Sequence, residues 1–350
     1  IGEYLNGTTT DQGRTLTAFT LTPNAWNPIN ARVNADGSAC TPFCSSEISD
    51  VAEETKAAYV RVDFGADFGN DWNLTGNFGL RYVHTTVQSA GEIGLPSPQA
   101  LGFAPGTNVT LAGLQAICAN APAGQPGLDY CGLSTARLTE FAAAHTGEII
   151  DDSNDIKFDH WLPSFNARLD TGGGLIFRAA VSKGISRPDL SDFRTGGTLG
   201  NNTGNLVAEG TLATGPLFVL NTGNRSLRPI TSWNYDLSAE WYFDEVGSLT
   251  ASRFLKDISG IVNTDIPIVT YTGASGVGID AQTTRPSNIQ NGTLKGFEIA
   301  YQQTYDFLPG LLSGLGSQLT YTYLDGGDFV NSNLDQNQGS FASLQPLAGI

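Results

Sequence analysis

The clearest pattern in the chain is an alternation of apolar and polar side chains with a period of two. In residues 161–170 every second side chain, from Trp161 to Leu169, is apolar, and the alternate positions from Ser164 to Asp170 are polar. The TGGG segment at residues 171–174 can supply a tight turn, and residues 175–184 then alternate again. This pattern predicts two antiparallel strands joined by a hairpin turn.

Three further hairpins repeat this plan along the chain. The predicted strand pairs are residues 59–68 with 72–82, 233–243 with 249–262, and 295–307 with 317–325. Short turns are expected at residues 69–71, 244–247 and 308–316. Arg253 interrupts the apolar phase of its strand and makes the register there uncertain. The pattern therefore predicts an all-β chain of about eight strands.

The segments between the hairpins are long and lack strand periodicity. Residues 88–157, 187–229 and 263–291 are predicted to be loops, with short helices at residues 111–118 and 135–144. Residues 1–58 are also expected to be mostly loop, with weak strand character around residues 16–21. All short turns should then lie at one end of the sheet and all long loops at the other.

This asymmetry is typical of an antiparallel up-and-down transmembrane β-barrel, which has short periplasmic turns and long extracellular loops. Predicted strands of about ten to thirteen residues suit a tilted span of the bilayer. Aromatic residues near the strand ends are candidates for the interfacial girdles: Trp72, Tyr82, Trp161, Trp233, Trp241, Phe243, Tyr305 and Phe307. The same aromatics could form the core of a soluble sandwich, and that alternative stays open at this point.

Composition and charge limit the possible partners. The 350 residues include 42 glycines, only 15% are charged, and the formal net charge is −16. An acidic chain lacks the basic surface that nucleic acid requires, so nucleic acid is not expected as a partner. No stretch approaches 18 consecutive apolar residues, which excludes a transmembrane helix.

The four cysteines form two close pairs, Cys40 with Cys44 and Cys118 with Cys131. Each pair lies in a segment rich in proline, glycine or alanine, which favours local disulfides formed in an oxidising compartment. Metal binding is disfavoured because no histidine accompanies either pair.

The sequence contains little that points to catalysis. Its three histidines, at positions 84, 145 and 160, belong to no hydrolase or metalloprotease motif, so no catalytic residue, metal or cofactor is expected. The acidic run at residues 151–155 is interpreted as a solvated loop. Trp26 and the run's three aspartates are the candidate loop contacts for a ligand: Asp151, Asp152 and Asp155.

Five segments together resemble successive barrel strands of TonB-dependent outer-membrane receptors. They are WLPSFNARLD, FRAAVSKGISRPDLSDF, NRSLRPITSWNYDLSAEWYF, FLKDISGIV and LKGFEIAYQQTYDFLPGLLSGLGSQLTYTYLD. The resemblance covers residues 59–325 in the family's order and is greatest to the proteobacterial subgroup linked to oligosaccharide uptake. It implies a barrel of twenty-two strands, of which about eight or nine are present here.

The resemblance also implies a function and its partners. Residues 1–350 would be one barrel domain, a middle-to-late fragment without the family's plug domain or its motif for recruiting TonB. The full protein would sit in the outer membrane of a Gram-negative bacterium and capture an oligosaccharide, or alternatively a siderophore or another metal chelate. It would then use energy from the TonB complex to pass its substrate through the plugged barrel. A secreted β-rich adhesin or carbohydrate-binding module, and a passive porin, are the competing hypotheses.

The inward, polar face of such a barrel is assigned from the alternation. The residues expected to line the lumen are Arg61, Asp63, Arg81, Arg168, Arg178, Asp236, Glu240 and Glu298. Pairing with one another or with the plug is the expected role, ahead of direct contact with substrate.

Overall fold

The structure is a computed structural model that describes residues 33–34, 36–40, 43–69, 71–120 and 127–327. The weak strand expected around residues 16–21 and the candidate ligand contact Trp26 lie outside the described residues.

The described chain forms a mostly antiparallel sheet of thirteen strands. In chain order these are β1 (Ser49–Asp67), β2 (Asn73–Gly94), β3 (Ile149–Asp151), β4 (Asn154–Asp170), β5 (Leu175–Ser186), β6 (Gly197–Thr198), β7 (Gly200–Asn201), β8 (Phe218–Asn221), β9 (Ile230–Tyr242), β10 (Ser248–Asp265), β11 (Ile268–Thr272), β12 (Gly278–Thr304) and β13 (Gly316–Asp325).

The eight long strands follow an up-and-down plan. Strands β1, β2, β4, β5, β9, β10, β12 and β13 each pair with the next in that order, always antiparallel. The all-β, up-and-down fold predicted from the alternation is therefore confirmed. Within the described residues β1 and β13 are the edges, and the sheet does not close into a barrel.

The four short turns lie at one end of the sheet, as expected. Each closes a hairpin directly: Asp67 pairs with Asn73 and Tyr242 with Ser248. Because the strands alternate in direction, the long connections must all leave from the opposite end.

The strands extend much further toward those long connections than the sequence indicated. β1 begins at Ser49 instead of residue 59, and β12 runs for 27 residues from Gly278. The prediction that residues 263–291 form a loop is therefore wrong for β11 and for the first half of β12. Only short runs of these segments alternate: Ile279 and Ala281 of β12 pack in a buried core with Tyr271 of β11, and the residues that follow in β12 are mostly polar on both faces.

Side chains of opposite character occupy the two faces of the sheet. In one register row Ala179, Leu237, Arg253 and Phe297 lie side by side, and in the next Arg178, Ser238, Ser252 and Glu298 do. We call the first the apolar face and the second the polar face. Arg253 thus belongs to the apolar face, and the register doubt that it raised is resolved in favour of the simple alternation.

Gly296 illustrates why one of the recognised motifs contains glycine. It lies opposite Phe254 on the polar face, and a Cβ atom there would stand 2.6 Å from Cζ of that ring and 2.3 Å from the carbonyl oxygen of Tyr323. A glycine is therefore required for the aromatic ring to lie across the neighbouring strand.

The long connections fold into a compact module, which we call the cap: residues 95–120, 127–148, 187–229 and 266–284. These described residues include three α-helices, α1 (Leu111–Ala119), α2 (Thr135–Ala144) and α3 (Thr203–Glu209). The first two confirm the predicted helices. The third, together with β6 and β7, lies where the glycine-rich segment at 195–205 was predicted to be loop.

Local capping explains where the first two helices begin. The hydroxyls of Thr110 and Ser134 accept hydrogen bonds from the backbone N–H groups of Gly113 and Arg137, at 3.2 and 3.4 Å. Each bond satisfies one of the unpaired N–H groups of a first helical turn. None of the described helices combines the length and the apolar character needed to cross a membrane.

The cap has its own hydrophobic core. Phe141, which is 0% exposed, stacks on Tyr130 and Phe218 with ring centroids 5.1 and 5.4 Å apart, and the buried ring of His145 lies 4.5 Å away. Burial lowers the pKa of His145, a shift opposed by the hydrogen bond of its Nδ1 to the Phe141 carbonyl. Burial also raises the pKa of the Tyr130 phenol.

The cap is attached to the end of the polar face from which the long connections leave. Phe193 and Leu227, from the second long connection, are buried against Val87 and Phe158 of β2 and β4. Within the cap, Glu148 accepts hydrogen bonds from the backbone N–H and the hydroxyl of Ser275 at 3.0 and 3.2 Å, which joins the first and third of its segments. The cap therefore covers one end of the polar face.

Candidate functional site

The eight charged residues predicted to share one face do so in the structure. Three of the arginines are paired with carboxylates. Arg61 contacts Asp63 at 2.6 Å, while Arg168 contacts a neighbouring aspartate and Arg178 contacts Glu240, both at 2.8 Å. All three pairs are on or next to the surface, where an ion pair contributes about 0–1 kcal/mol.

Arg168 and Arg178 are directly opposite each other in the register of β4 and β5. Two cations placed this way repel unless each has a counterion, which the ion pairs supply. A cavity of about 570 Å³ on the polar face is lined in part by Arg61 and these two arginines.

The other three predicted lumen residues have no ion pair within the described part of the chain. Arg81 lies between Tyr59 and Leu162, Asp236 between Ala180 and Phe254, and Glu298 between Ser252 and Thr322. Their charged groups can therefore interact with any group that faces this side of the sheet.

The acidic run at 151–155 matches the predicted solvated loop only in part, because Asp151 and Asp155 are exposed but belong to strands. Asp151 ends β3 and Asp155 lies in β4. Asp152 forms an ion pair with Arg225 of the cap, and Asp155 accepts a hydrogen bond from Gln88 at 3.4 Å. The ion pair between Asp152 and Arg225 therefore helps to fasten the cap to the strands.

The cysteines form two disulfides, Cys40 with Cys44 and Cys118 with Cys131. The second joins the end of α1 to the segment before α2 and packs against the cap core. Among the described residues no group of three or more His, Cys, Asp or Glu side chains could hold a metal ion.

A polar cavity of about 620 Å³, which we call the vestibule cavity, lies where the cap meets β10 and β12. It was not predicted. The residues that line it come from the second long connection and from the ends of the two strands: Asp189, Ser191, Asp192, Arg194, Asn221, Thr222, Gly223, Val262, Asn263, Thr264, Thr284, Arg285 and Pro286.

The lining of the vestibule cavity combines carboxylates, guanidinium groups, amides and hydroxyls with little apolar surface. Arg194 donates a hydrogen bond to the side-chain oxygen of Asn221 at 3.5 Å. The hydroxyl of Thr222 and the Nε of Arg285 are buried and have no hydrogen-bond partner among the residues that the structure describes. Buried polar atoms without a partner are rare, since each costs about 1–3 kcal/mol.

Sequence reasoning could not find this site. Asp189 belongs to the recognised segment Arg187-Pro188-Asp189-Leu190, but Arg285 lies in a stretch predicted to be loop. The two approach each other only because the cap folds back onto the strands.

The fold and this cavity define the class of the protein: an up-and-down β-sheet with long strands, short turns at one end and a folded cap at the other. The family model described as TonB dependent receptor-like, beta-barrel matches residues 2–349. The chain belongs to this family of outer-membrane receptors.

Among the solved structures, the ferric enterobactin receptor PfeA of Pseudomonas aeruginosa matches at 14% identity, with a TM-score of 0.36, over 78% of this chain and 36% of that chain. The siderophore receptor PirA of Acinetobacter baumannii matches at 12% identity, with a TM-score of 0.37, over 79% of this chain and 37% of that chain. The ferric yersiniabactin uptake receptor FyuA of Yersinia pestis matches at 11% identity, with a TM-score of 0.35, over 79% of this chain and 28% of that chain. Comparison with the curated proteins finds no match.

The chain thus spans 28% to 37% of the length of these three receptors.

Proposed function

We propose that the chain is the barrel part of an outer-membrane receptor that captures a polar, polyhydroxylated substrate, an oligosaccharide, in the vestibule cavity. Uptake then proceeds through the barrel with energy from the TonB complex. The plug domain and the TonB-contacting segment belong to the full-length protein, and residues 1–350 form one barrel domain.

The proposal places the apolar face in lipid and the polar face toward the lumen. The cap supports this orientation because it folds over the polar face and leaves Leu237, Phe297 and Ile299 uncovered, with 60%, 38% and 42% of their surfaces exposed. Exposed apolar side chains in a continuous band are expected where the surrounding solvent is hydrocarbon. Family membership likewise favours a receptor over a secreted module or a passive porin.

The choice of an oligosaccharide as the substrate rests on the groups that line the vestibule cavity. Its hydroxyl, amide, carboxylate and guanidinium groups can donate to and accept from many hydroxyl groups at once. The buried hydroxyl of Thr222 and the Nε of Arg285 would gain partners when a ligand enters. A siderophore or another metal chelate is the alternative substrate, and the binding experiment compares it with the oligosaccharide.

The test uses the full-length receptor and two classes of ligand. Arg285→Met should weaken binding of a matching oligosaccharide about 10- to 100-fold in isothermal titration calorimetry, because hydrogen bonds involving a charged group contribute about 1.5–3 kcal/mol. Thr222→Val should weaken it about 2- to 10-fold, because a neutral hydrogen bond contributes about 0.5–1.5 kcal/mol. Thr320→Val, an exposed position on β13 outside the cavity, is the matched control.

Transport is measured as uptake of the labelled oligosaccharide by cells with and without TonB. Uptake that depends on TonB and falls in the two cavity variants supports the proposal. Binding of ferric chelates but of no oligosaccharide in a panel of neutral and acidic glycans would contradict the substrate assignment.

A further inference from the structure

The vestibule cavity contains four charged side chains that are not paired with one another. Two are guanidinium groups, those of Arg194 and Arg285, and two are carboxylates, those of Asp189 and Asp192. None of the four forms an ion pair within the described part of the chain. Asp189 and Arg194 are exposed, so water and salt screen them, whereas Asp192 and Arg285 are half-buried. The two half-buried charges are therefore the ones that a ligand in the cavity has to satisfy.

Arg285 stands beside Thr222 on one wall of the cavity. β8 pairs with β12 in parallel, with Asn221 opposite Thr284, and the backbone N–H of Thr222 donates to the Thr284 carbonyl at 3.1 Å. Thr222 and Arg285 are the next residues of these two segments, so their side chains start side by side. Thr222 is 7% exposed, and neither its hydroxyl nor the Nε of Arg285 has a hydrogen-bond partner among the described residues.

The two unpartnered groups of this wall can both donate hydrogen bonds. The Nε–H of a guanidinium is a donor only, and it lies parallel to an Nη–H of the same group. The Thr222 hydroxyl adds a third donor. A carboxylate matches this set, because its two oxygens offer about four acceptor sites and accept from a guanidinium in a bidentate manner. Its charge also compensates the guanidinium, which a neutral hydroxyl does not do.

The protein carboxylate nearest to this wall in the sheet register already has another partner. Asp265 lies directly opposite Arg285 on β10, but its Oδ1 accepts a hydrogen bond from the backbone N–H of Ile266 at 3.0 Å. Asp265 is not part of the cavity lining, and it forms no ion pair with Arg285 within the described residues. Asp265 thus lowers the positive potential near Arg285 but leaves the donors of the guanidinium free.

Asp192 belongs to a second wall, which backbone contacts hold in place. Its carbonyl accepts a hydrogen bond from the N–H of Asn224 at 2.7 Å, and the Nδ2 of Asn224 donates to the Pro286 carbonyl at 2.9 Å. Gly223 permits this close approach, because a Cβ there would stand 2.5 Å from the Asp192 carbonyl oxygen. The segments that carry Asp192 and Arg285 are therefore fixed relative to each other, and the two charges do not pair across the cavity.

We infer that the vestibule cavity selects an oligosaccharide that contains a uronic acid, a sugar that carries a carboxylate in place of its primary alcohol. Arg285 and Thr222 bind the carboxylate, and Asp192 accepts hydrogen bonds from ring hydroxyls. A uronic acid has its carboxylate and its vicinal hydroxyls at opposite edges of the ring, so one sugar can present acceptors to one wall and donors to the other. This inference rests on the proposed function and names the substrate class for the same site.

The difference in burial between the two charges favours an acidic sugar over a neutral or cationic one. The Nε of Arg285 is buried without a partner, whereas Asp192 has no such buried oxygen, so hydroxyls or water can serve its carboxylate. A neutral hexose would satisfy Asp192 but leave the guanidinium without an anion, which is costly in a desolvated site. A cationic amino sugar would place a like charge beside Arg285.

The experiment measures binding to the full-length receptor by isothermal titration calorimetry, with two matched forms of each probe. The probes are tetrasaccharides of galacturonic, glucuronic, guluronic and mannuronic acid. Each is compared with the same tetrasaccharide after its carboxylates have been reduced to primary alcohols. Reduction removes the charge and keeps every ring hydroxyl, so each pair isolates the contribution of the carboxylate.

We expect at least one acid form to bind the wild type about 10-fold or more tightly than its reduced form. Arg285→Met should abolish this preference, and Arg285→Lys should keep part of it, because lysine retains the charge without the fork of donors. Asp192→Asn should weaken both forms, since both have the ring hydroxyls. Arg228→Met changes an exposed arginine outside the cavity lining and is the matched control, which should bind both forms as the wild type does.

Equal binding of the acid and reduced forms by the wild type, in every pair, would overturn the inference and leave the proposed oligosaccharide function standing. A preference for the acid that persists in Arg285→Met would also overturn it, because the carboxylate would then bind elsewhere. A wild type that binds ferric chelates and none of these oligosaccharides would contradict the proposed function as well. The wild-type comparison needs no variant, so it decides the question even if a substitution impairs folding.

Discussion

Replacing Phe141 with alanine tests whether the cap is a folding unit separate from the sheet. Phe141 is 0% exposed and contacts three other aromatic rings of the cap, those of Tyr130, His145 and Phe218. Removing a buried phenyl ring leaves a cavity and costs about 3–5 kcal/mol. The cap should therefore open far more often in Phe141→Ala than in the wild type.

Each 1.4 kcal/mol changes an equilibrium tenfold, so this cost corresponds to a rise of roughly 100- to 5,000-fold in the open population. Hydrogen exchange of the full-length receptor in detergent measures that population directly. Amides of α1, α2 and β8 should lose protection together, because all three elements contribute to the same core.

The long strands should keep their protection in the same variant. The heat-dependent gel mobility of the folded barrel should also be unchanged, since the apolar face is not involved. Glu140→Ala changes an exposed residue of the same helix and serves as the matched control. Unchanged exchange in Phe141→Ala would refute the cap core, and equal loss of protection in β9 and β10 would refute its independence.

Three other outcomes follow from the structure. The pKa of His145 is lowered by burial, so the neutral form stabilises the cap; this stability is complete above about pH 6.5 and falls as the pH drops below it. The protection factors of the cap amides, which are corrected for the pH dependence of intrinsic exchange, should thus fall between pH 7.5 and 5 in the wild type and much less in His145→Gln. Replacing both Cys118 and Cys131 with alanine should destabilise the cap by about 2–4 kcal/mol. A lower concentration of protease should then be enough to cleave residues 95–148. Unaltered resistance to the protease would contradict this. Leu237→Arg should cost about 2–4 kcal/mol and impair assembly into membranes, whereas Glu240→Gln on the polar face should assemble normally.

Parts of this architecture could be predicted because a simple physical signal marks them. Residues 233–243 alternate strictly, since their strand has a different environment on each face, and β9 is found there. The helix at residues 135–144 follows a serine that caps it, which is a local signal. Even Arg253 kept the expected register, although its charge suggested otherwise.

Other parts left no local signal. Residues 278–291 form strand without a single apolar face, so a search for alternation could not find them. The cap core combines Phe141 with Phe218 and Ile279, which are far apart in sequence and irregularly spaced. The vestibule cavity depends on the same folding back of the cap. Such features follow from tertiary packing, which local periodicity does not encode.

The most direct test of the central claim is to determine which face of the sheet meets lipid. Single cysteines at Leu237, Ala239, Glu240 and Ile299 of the full-length receptor can carry a fluorescent label, and quenchers confined to the bilayer then report contact with hydrocarbon. We expect quenching at Leu237, Ala239 and Ile299 with Glu240 spared, because the register places only Glu240 on the polar face. Equal quenching at all four positions, or none in the presence of lipid, would contradict it.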